Sequence, residues 1–86
     1  MSMPAPEGWL RSEVRLPPGS PLLGRTLADA GPRRRWGIGV VAIRRESPGD
    51  MVLMPGGETR FESLDLVLCV GGAKELAAFA AEVGPA

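Results

Sequence analysis

The sequence predicts a small α+β domain whose elements follow the order strand, short helix, three strands, helix. A chain of 86 residues is long enough for one compact domain with a modest core. Short apolar runs of strand length alternate with Pro- and Gly-rich turns, and one apolar stripe with helical spacing follows the last of them. Three strands in succession favour an antiparallel meander, with the helices covering one face of the sheet.

The N-terminal boundary of the domain is predicted near residue 13, with residues 1–12 as a flexible leader and 13–84 as the folded unit. Residues 1–8 contain two prolines and a glycine and have no hydrophobic period. Glu13-Val14-Arg15-Leu16 alternates charged and apolar residues, as a half-buried strand does, and Pro17-Pro18 ends it. The opening lacks the basic and apolar zones of a secretion signal, and no apolar run has the length of a membrane span.

The first helix and the second strand are predicted from local signals. Thr26 and Asp29 have the spacing of a capping box, so a short helix is expected after Thr26, and Gly31-Pro32 ends it early. The run 38–43 is apolar on both alternating faces, which is typical of a central strand covered on both sides.

The C-terminal half predicts two more strands and a helix. Residues 47–50 have strong turn chemistry, so the apolar run 51–54 is expected to pair with the preceding strand as a hairpin. Asp65 introduces a further apolar strand, 66–70, which Gly71-Gly72 ends. A helix from about Ala73 to Val83 follows, because residues 76, 79, 80 and 83 form one apolar stripe.

The composition argues against nucleic-acid or membrane binding and against catalysis. Ten basic and ten acidic residues cancel, so no overall positive field draws in nucleic acid or an anionic membrane. The chain has no histidine, its serines lie in predicted turns, and its single cysteine, Cys69, lies inside an apolar strand. Nucleophilic and metal-assisted chemistry lack their components, so the sequence predicts neither an enzyme nor a metal site. Cys69 is expected to be a buried packing residue in a reducing compartment.

Three motifs have both a functional and a structural interpretation. Gly37-Ile38-Gly39-Val40-Val41-Ala42 matches the dinucleotide fingerprint, but its glycines open a strand instead of a helix, so no pyrophosphate site is predicted. Gly71-Gly72 precedes a helix, where a tight turn is favoured over an anion site. Arg33-Arg34-Arg35 beside Trp36 is the one concentrated basic patch, and a solvated face is favoured over nucleotide or nucleic-acid binding.

Three blocks of the sequence resemble the TrkA-C domain family in the same order. Residues 14–27, VRLPPGSPLLGRTL, are similar to the family's opening strand and first helix. Residues 34–45, RRWGIGVVAIRR, resemble its basic and aromatic stretch followed by a strand ending in "ala-ile-arg-arg". Residues 65–71, DLVLCVG, resemble its closing strand. Two departures are Leu64, where the family usually has glycine, and residues 54–58, an unusual version of its "ile-pro-x-pro" connection.

The resemblance implies a regulatory domain of a potassium or other cation channel or transport system, at the inner, cytoplasmic face of the membrane. Such domains pair as homodimers, and several bind a small ligand such as cyclic di-AMP near the dimer interface. By resemblance, the ligand contacts come from the strand 41–45, with Val41 and Ile43 against adenine and Arg44 or Arg45 near phosphate. Arg44 and Arg45 lie on opposite faces of a strand, so at most one can aim into a given pocket.

Two other functions stay open at the level of sequence. One is a purely structural dimerisation module without a ligand, and the thin, aromatic-poor core favours pairing in either case. The other is a small nucleic-acid-binding domain that uses residues 33–36. The partners expected are therefore a second copy of the chain, a membrane channel or transporter, and a small regulatory ligand.

Overall fold

The computed structural model describes residues 8–46 and 49–84 and confirms the predicted α+β class. It contains four strands, β1 (Trp9–Arg15), β2 (Gly39–Arg44), β3 (Met51–Leu53) and β4 (Leu66–Gly72). It also contains three helices, α1 (Leu27–Ala30), α2 (Pro32–Arg35) and α3 (Ala73–Val83). In the described part of the chain, no helix is long and apolar enough to cross a membrane.

Strand β1 begins earlier than predicted. Residues 9–12, which the sequence analysis assigned to the leader, pair with the C-terminal half of β4 and belong to the sheet. Trp9 lies opposite Gly72, at the far end of that strand. Strand β1 thus extends as far as β4 offers residues to pair with. The local sequence of residues 9–12 does not reveal this pairing. Residues 1–7 of the predicted leader, and residues 47–48 of the predicted turn, lie outside the described residues.

The four strands are antiparallel, in the spatial order β1-β4-β2-β3. The expected meander is therefore wrong, because β4 pairs with β2 and β1 and not with β3. The hairpin of β2 and β3 is confirmed. The seven-residue apolar strand β4 lies between β1 and β2 in the interior of the sheet, whereas the three-residue strand β3 lies at an edge.

The core lies between one face of the sheet and the helices. Helix α3 packs on β4 and β1, and its buried residues are Leu76, Phe79 and Val83, as the apolar stripe predicted. The ring of Phe79 meets Trp36 edge to face, with centroids 5.0 Å apart. Complete burial of such a ring contributes about 1.5–3 kcal/mol, so this contact is a major part of a core with few aromatic residues.

The opposite face of the sheet is only partly covered, and we call it the open face. Its central residues are apolar: Ala42 on β2, Leu53 on β3, and Leu66, Leu68 and Val70 on β4. Leu53 is 73% exposed. The β1 residues on this side are mostly charged: Arg11, Glu13 and Arg15. The open face is thus an apolar centre with a charged border.

The connection from β3 to β4 runs alongside α1. Its residues Gly57 and Thr59 accept hydrogen bonds from the amides of Ala28 (2.9 Å) and Leu27 (2.8 Å). The fully buried Phe61 anchors its second half. These bonds hold residues 54–57 close to α1, which creates one wall of the cavity described next.

Candidate ligand groove

A groove of about 640 Å³ lies where α1, α2, the start of β2 and residues 54–57 meet. We call it the β2 groove. Its lining is mainly apolar and includes Leu27 and Pro32 on one side, Val40 and Val41 on the strand, and Met54 on the other side. The volume lies within the range of about 300–1,000 Å³ that is usual for small-molecule sites.

The helical wall of the groove depends on Gly31, which ends α1 and precedes α2. Gly31 has φ 54°, in the left-handed region that other residues rarely adopt. Pro32 then occupies the first turn of α2, where its missing amide proton is no loss. A Cβ on Gly31 would clash with the guanidinium of Arg34, so that side chain packs directly across the glycine.

The basic triplet divides into two groups. Arg33 and Arg34 are exposed and line the β2 groove, whereas none of its lining residues within 8–46 and 49–84 is an aspartate or glutamate. Arg35 points to α3, where its Nη2 lies 2.6 Å from Glu82 and its guanidinium lies over the Trp36 ring. Two neighbouring arginines therefore give the groove a positive border, while the third is engaged within the fold.

Among the residues of the described ranges, neither Arg33 nor Arg34 has a carboxylate within ion-pair distance. Arg34 donates one long hydrogen bond, 3.4 Å, to the carbonyl of Ala28, and this bond holds it near the groove wall. The prediction that this basic patch is exposed to solvent is thus confirmed, but the sequence did not predict the apolar groove beside it.

Val41 lies in the groove because β2 contains a bulge. The pairing of β2 with β4 shifts register between Val40 and Ala42, so Val41 has no partner on β4. Its carbonyl accepts a hydrogen bond from the amide of Met54 at 2.9 Å, and its half-buried side chain lines the groove. Of the four residues that the sequence analysis placed at a ligand, Val41 is the one that lines this groove.

The bulge also separates Val41 from Ile43. In an unbroken strand the two would share a face, but the extra residue places Ile43 on the core side opposite Val67. Ile43 is fully buried. Arg44 is exposed on the open face, where it lies opposite Met51 and Leu66.

Arg45 is engaged in the fold by an ion pair that the sequence did not predict. Its Nη1 lies 2.5 Å from Oδ2 of Asp65 and 3.6 Å from the exposed carboxylate of Glu62. The amide of Glu62 donates to the same Asp65 oxygen at 2.8 Å. Asp65 is 1% exposed, and this burial raises the pKa of its carboxyl by more than the Glu62 amide and Arg45 lower it.

The remaining motifs are explained by the fold. Gly37 and Gly39 of the fingerprint precede and begin β2, and no helix follows them, as predicted; both line the β2 groove. Gly72 forms the turn between β4 and α3. Cys69 is buried, and burial raises the pKa of its thiol to about 12. The described residues hold no group of three metal-ligating side chains.

Comparisons with known proteins agree with this architecture. The model of the TrkA-C domain matches residues 11–84. The GsuK RCK domain has 25% sequence identity and a TM-score of 0.75; the match covers 88% of this chain and 16% of that one. The KtrA RCK C domain in complex with c-di-AMP has 23% identity over 85% of this chain and 84% of that one, with a TM-score of 0.71.

Two structures of S. agalactiae BusR are similar as well. Its RCK_C domain dimer in complex with c-di-AMP has 23% identity and a TM-score of 0.77, covering 87% of this chain and 90% of that one. A longer BusR chain in complex with promoter DNA has 24% identity and a TM-score of 0.76, over 84% of this chain and 34% of that one. The chain thus spans about a sixth of the GsuK chain and a third of the longer BusR chain. No curated protein matches it.

Proposed function

The chain belongs to the TrkA-C domain family, and from this premise we propose that it is the ligand-sensing and dimer-forming domain of a cation transport system. GsuK is a channel and KtrA a potassium transport protein, and in both the similar region is a regulatory RCK domain or part of one. The pore or carrier then lies elsewhere in the polypeptide or complex, and this domain lies at the inner, cytoplasmic face of the membrane. A regulatory domain needs no catalytic group.

The ligand we propose is a nucleotide, with cyclic di-AMP as the first candidate. The observation that carries this proposal is the β2 groove, which combines an apolar lining with a positive border. Apolar walls suit a base, and arginine suits phosphate. KtrA and BusR have been solved with c-di-AMP and GsuK with NAD, so related domains occur in nucleotide-binding proteins.

The open face is the surface that we propose for pairing with a second copy. Its apolar centre and charged border are the usual arrangement of a protein interface. Leu53 exposes 73% of its surface there, and neighbouring leucines on β4 are only half-buried. Val41 lines the β2 groove and also a shallow depression on this face, with Leu68. Val41 therefore belongs both to the proposed dimer surface and to the proposed ligand groove.

Thermal melting with nucleotides and light scattering test the two parts separately. We expect cyclic di-AMP or NAD to raise the melting temperature at concentrations well above the dissociation constant, because a ligand that binds only the folded state stabilises it. We expect light scattering to give the mass of a dimer. A dimer that no nucleotide stabilises would instead indicate the purely structural module, and salt-sensitive oligonucleotide binding would indicate a nucleic-acid-binding domain.

A further inference from the structure

Strand β1 forms one edge of the sheet, and its outer side faces no other strand of the described chain. We propose that this edge binds the same edge of a second copy, antiparallel and in a register centred on Ser12, so that two four-stranded sheets join into one. This inference goes beyond the proposed function, because the contact lies at the edge of the sheet instead of on the open face and needs no ligand.

The outer side of β1 carries unpaired backbone groups. All seven residues of the strand pair with β4, and within residues 8–46 and 49–84 no backbone group outside β4 bonds to them. Directly after the strand, the amide of Leu16 donates to the carbonyl of Asp65 at 2.8 Å, on the β4 side. Alternate residues of an antiparallel strand direct their N–H and C=O groups to opposite sides, so those of residues 9, 11, 13 and 15 face the free edge. These groups are a template for another strand.

The charged side chains of β1 select one register for such a strand. When the pairing is centred on Ser12, Arg11 lies opposite Glu13 of the second copy and Glu13 lies opposite its Arg11, so both charged pairs are attractive. A shift by two residues in one direction places Arg11 against Arg11, and a shift in the other direction places Glu13 against Glu13. Both shifts bring like charges together, which is destabilising. The strand is therefore charge-complementary to itself in this register.

The same register covers the two large apolar side chains that β1 exposes. Leu10 is 54% exposed on the core side of the strand, and it would lie opposite Val14 of the second copy. Trp9 is 46% exposed and would lie opposite Arg15, whose aliphatic stem can cover part of the indole ring. Pairing thus adds apolar contacts to the backbone hydrogen bonds.

The other edge of the sheet is less suited to pairing. Strand β3 has three residues, and it is followed by Met54, with φ 46°, and by Pro55, which has no amide proton to donate. Strand β1 is more than twice as long, has no register shift against β4 and contains neither proline nor glycine. Proteins commonly shorten or interrupt an exposed edge strand to prevent pairing, and β1 has neither feature.

Sedimentation analysis of the full 86-residue chain, over a concentration series that reaches the millimolar range, tests the contact. We expect it to be weaker than pairing through the open face, because a strand edge buries little surface, and to appear as further association at high concentration. Arg11→Glu and Glu13→Arg each turn both attractive pairs into like-charge pairs, so each should weaken this association about tenfold or more. Lys74→Glu is the matched control, because it reverses an exposed charge outside β1, and it should stay within about twofold of the wild type.

Complementation separates the edge contact from a general effect of charge. An equimolar mixture of the Arg11→Glu and Glu13→Arg chains opposes two glutamates to two arginines, so it should associate like the wild type. The double variant, which exchanges the two charges, should do the same. Hydrogen exchange gives a second measurement: the amides of Arg11 and Glu13 should be protected in the associated state, whereas those of Ser12 and Val14, which face β4, are protected at every concentration.

The results distinguish the inference from the proposed function. Single variants that associate like the wild type, or a mixture that does not restore association, would overturn the edge contact and leave nucleotide binding unaffected. In Leu53→Asp, the association that depends on the charges of β1 should persist; its loss would assign it to the open face and also overturn the inference. Unchanged melting temperatures at low concentration confirm that each variant folds. A chain that binds no nucleotide but passes the complementation test would contradict the proposed function alone.

Discussion

In the buried Arg45–Asp65 pair, removing the charge of Arg45 should lower the free energy of unfolding much more than removing the charge of Asp65. The pKa of Asp65 is raised because burial outweighs the favourable effects of Arg45 and the Glu62 amide. Ionising this carboxyl is thus less favourable in the folded protein than in the unfolded chain. Asp65→Asn resembles that neutral form and keeps an acceptor for the Glu62 amide. We expect it to change the free energy of unfolding by at most about 1 kcal/mol.

Arg45→Met leaves the Asp65 carboxylate buried without its cation, which typically costs about 3–5 kcal/mol. Protonation of Asp65 limits this cost. Each pH unit above the ordinary value of 3.8 adds about 1.4 kcal/mol to the cost of holding an aspartate neutral, so the ceiling at pH 7 is about 4 kcal/mol. For a domain of this size, whose total stability is on the order of 5–10 kcal/mol, such a loss is severe.

Urea unfolding followed by tryptophan fluorescence measures these differences at a fixed protein concentration. Arg44→Met is the matched control, because it makes the same change in the adjacent, exposed arginine and should alter stability by less than about 0.5 kcal/mol. The Arg45→Met deficit should also shrink between pH 7 and pH 5. A carboxyl with a raised folded pKa favours folding most when it is protonated, and its contribution is lost as the pH rises. Equal losses in Asp65→Asn and Arg45→Met, or a deficit that grows in acid, would refute this reasoning.

Three further predictions concern strain, burial and pairing. Leu64 has φ 68°, so Leu64→Gly should relieve about 1 kcal/mol of backbone strain and raise the melting temperature by a few degrees; a lower value would contradict this. Cys69 should react with a thiol reagent far more slowly in the native protein than in urea, because burial disfavours its thiolate; equal rates would refute its burial. Leu53→Asp on the open face should shift light scattering towards the monomer mass, whereas a dimer of unchanged stability would place the interface elsewhere.

The elements with strong periodicity were predictable from sequence. Strand β4 is a continuous apolar run. Of the four stripe residues of α3, the structure buries Leu76, Phe79 and Val83 and leaves Ala80 half-buried. Helix α2 was missed because three consecutive arginines hide any apolar period. Pro32, at a favoured position in the first turn of a helix, was the available signal.

The candidate site was less predictable, for reasons that depend on pairing between distant residues. A bulge is a property of two strands, so simple alternation along β2 would place Val41 and Ile43 on one face and cannot show that the bulge separates them. The partner of Arg45 lies 20 residues away in a loop, and its burial appears only after the chain has folded. The groove itself needs α1 to meet residues 54–57, which the hydrogen bonds of Leu27 and Ala28 determine.

The most direct test of the proposed function is a titration of the ¹⁵N-labelled domain with cyclic di-AMP, followed by two-dimensional NMR. The 86-residue chain is small enough for each amide to be followed separately. We predict saturable shifts concentrated at residues 31–41 and 54–57, which surround the β2 groove. Spectra that do not change at millimolar ligand, or shifts confined to the far end of β2 around Arg44, would contradict the account.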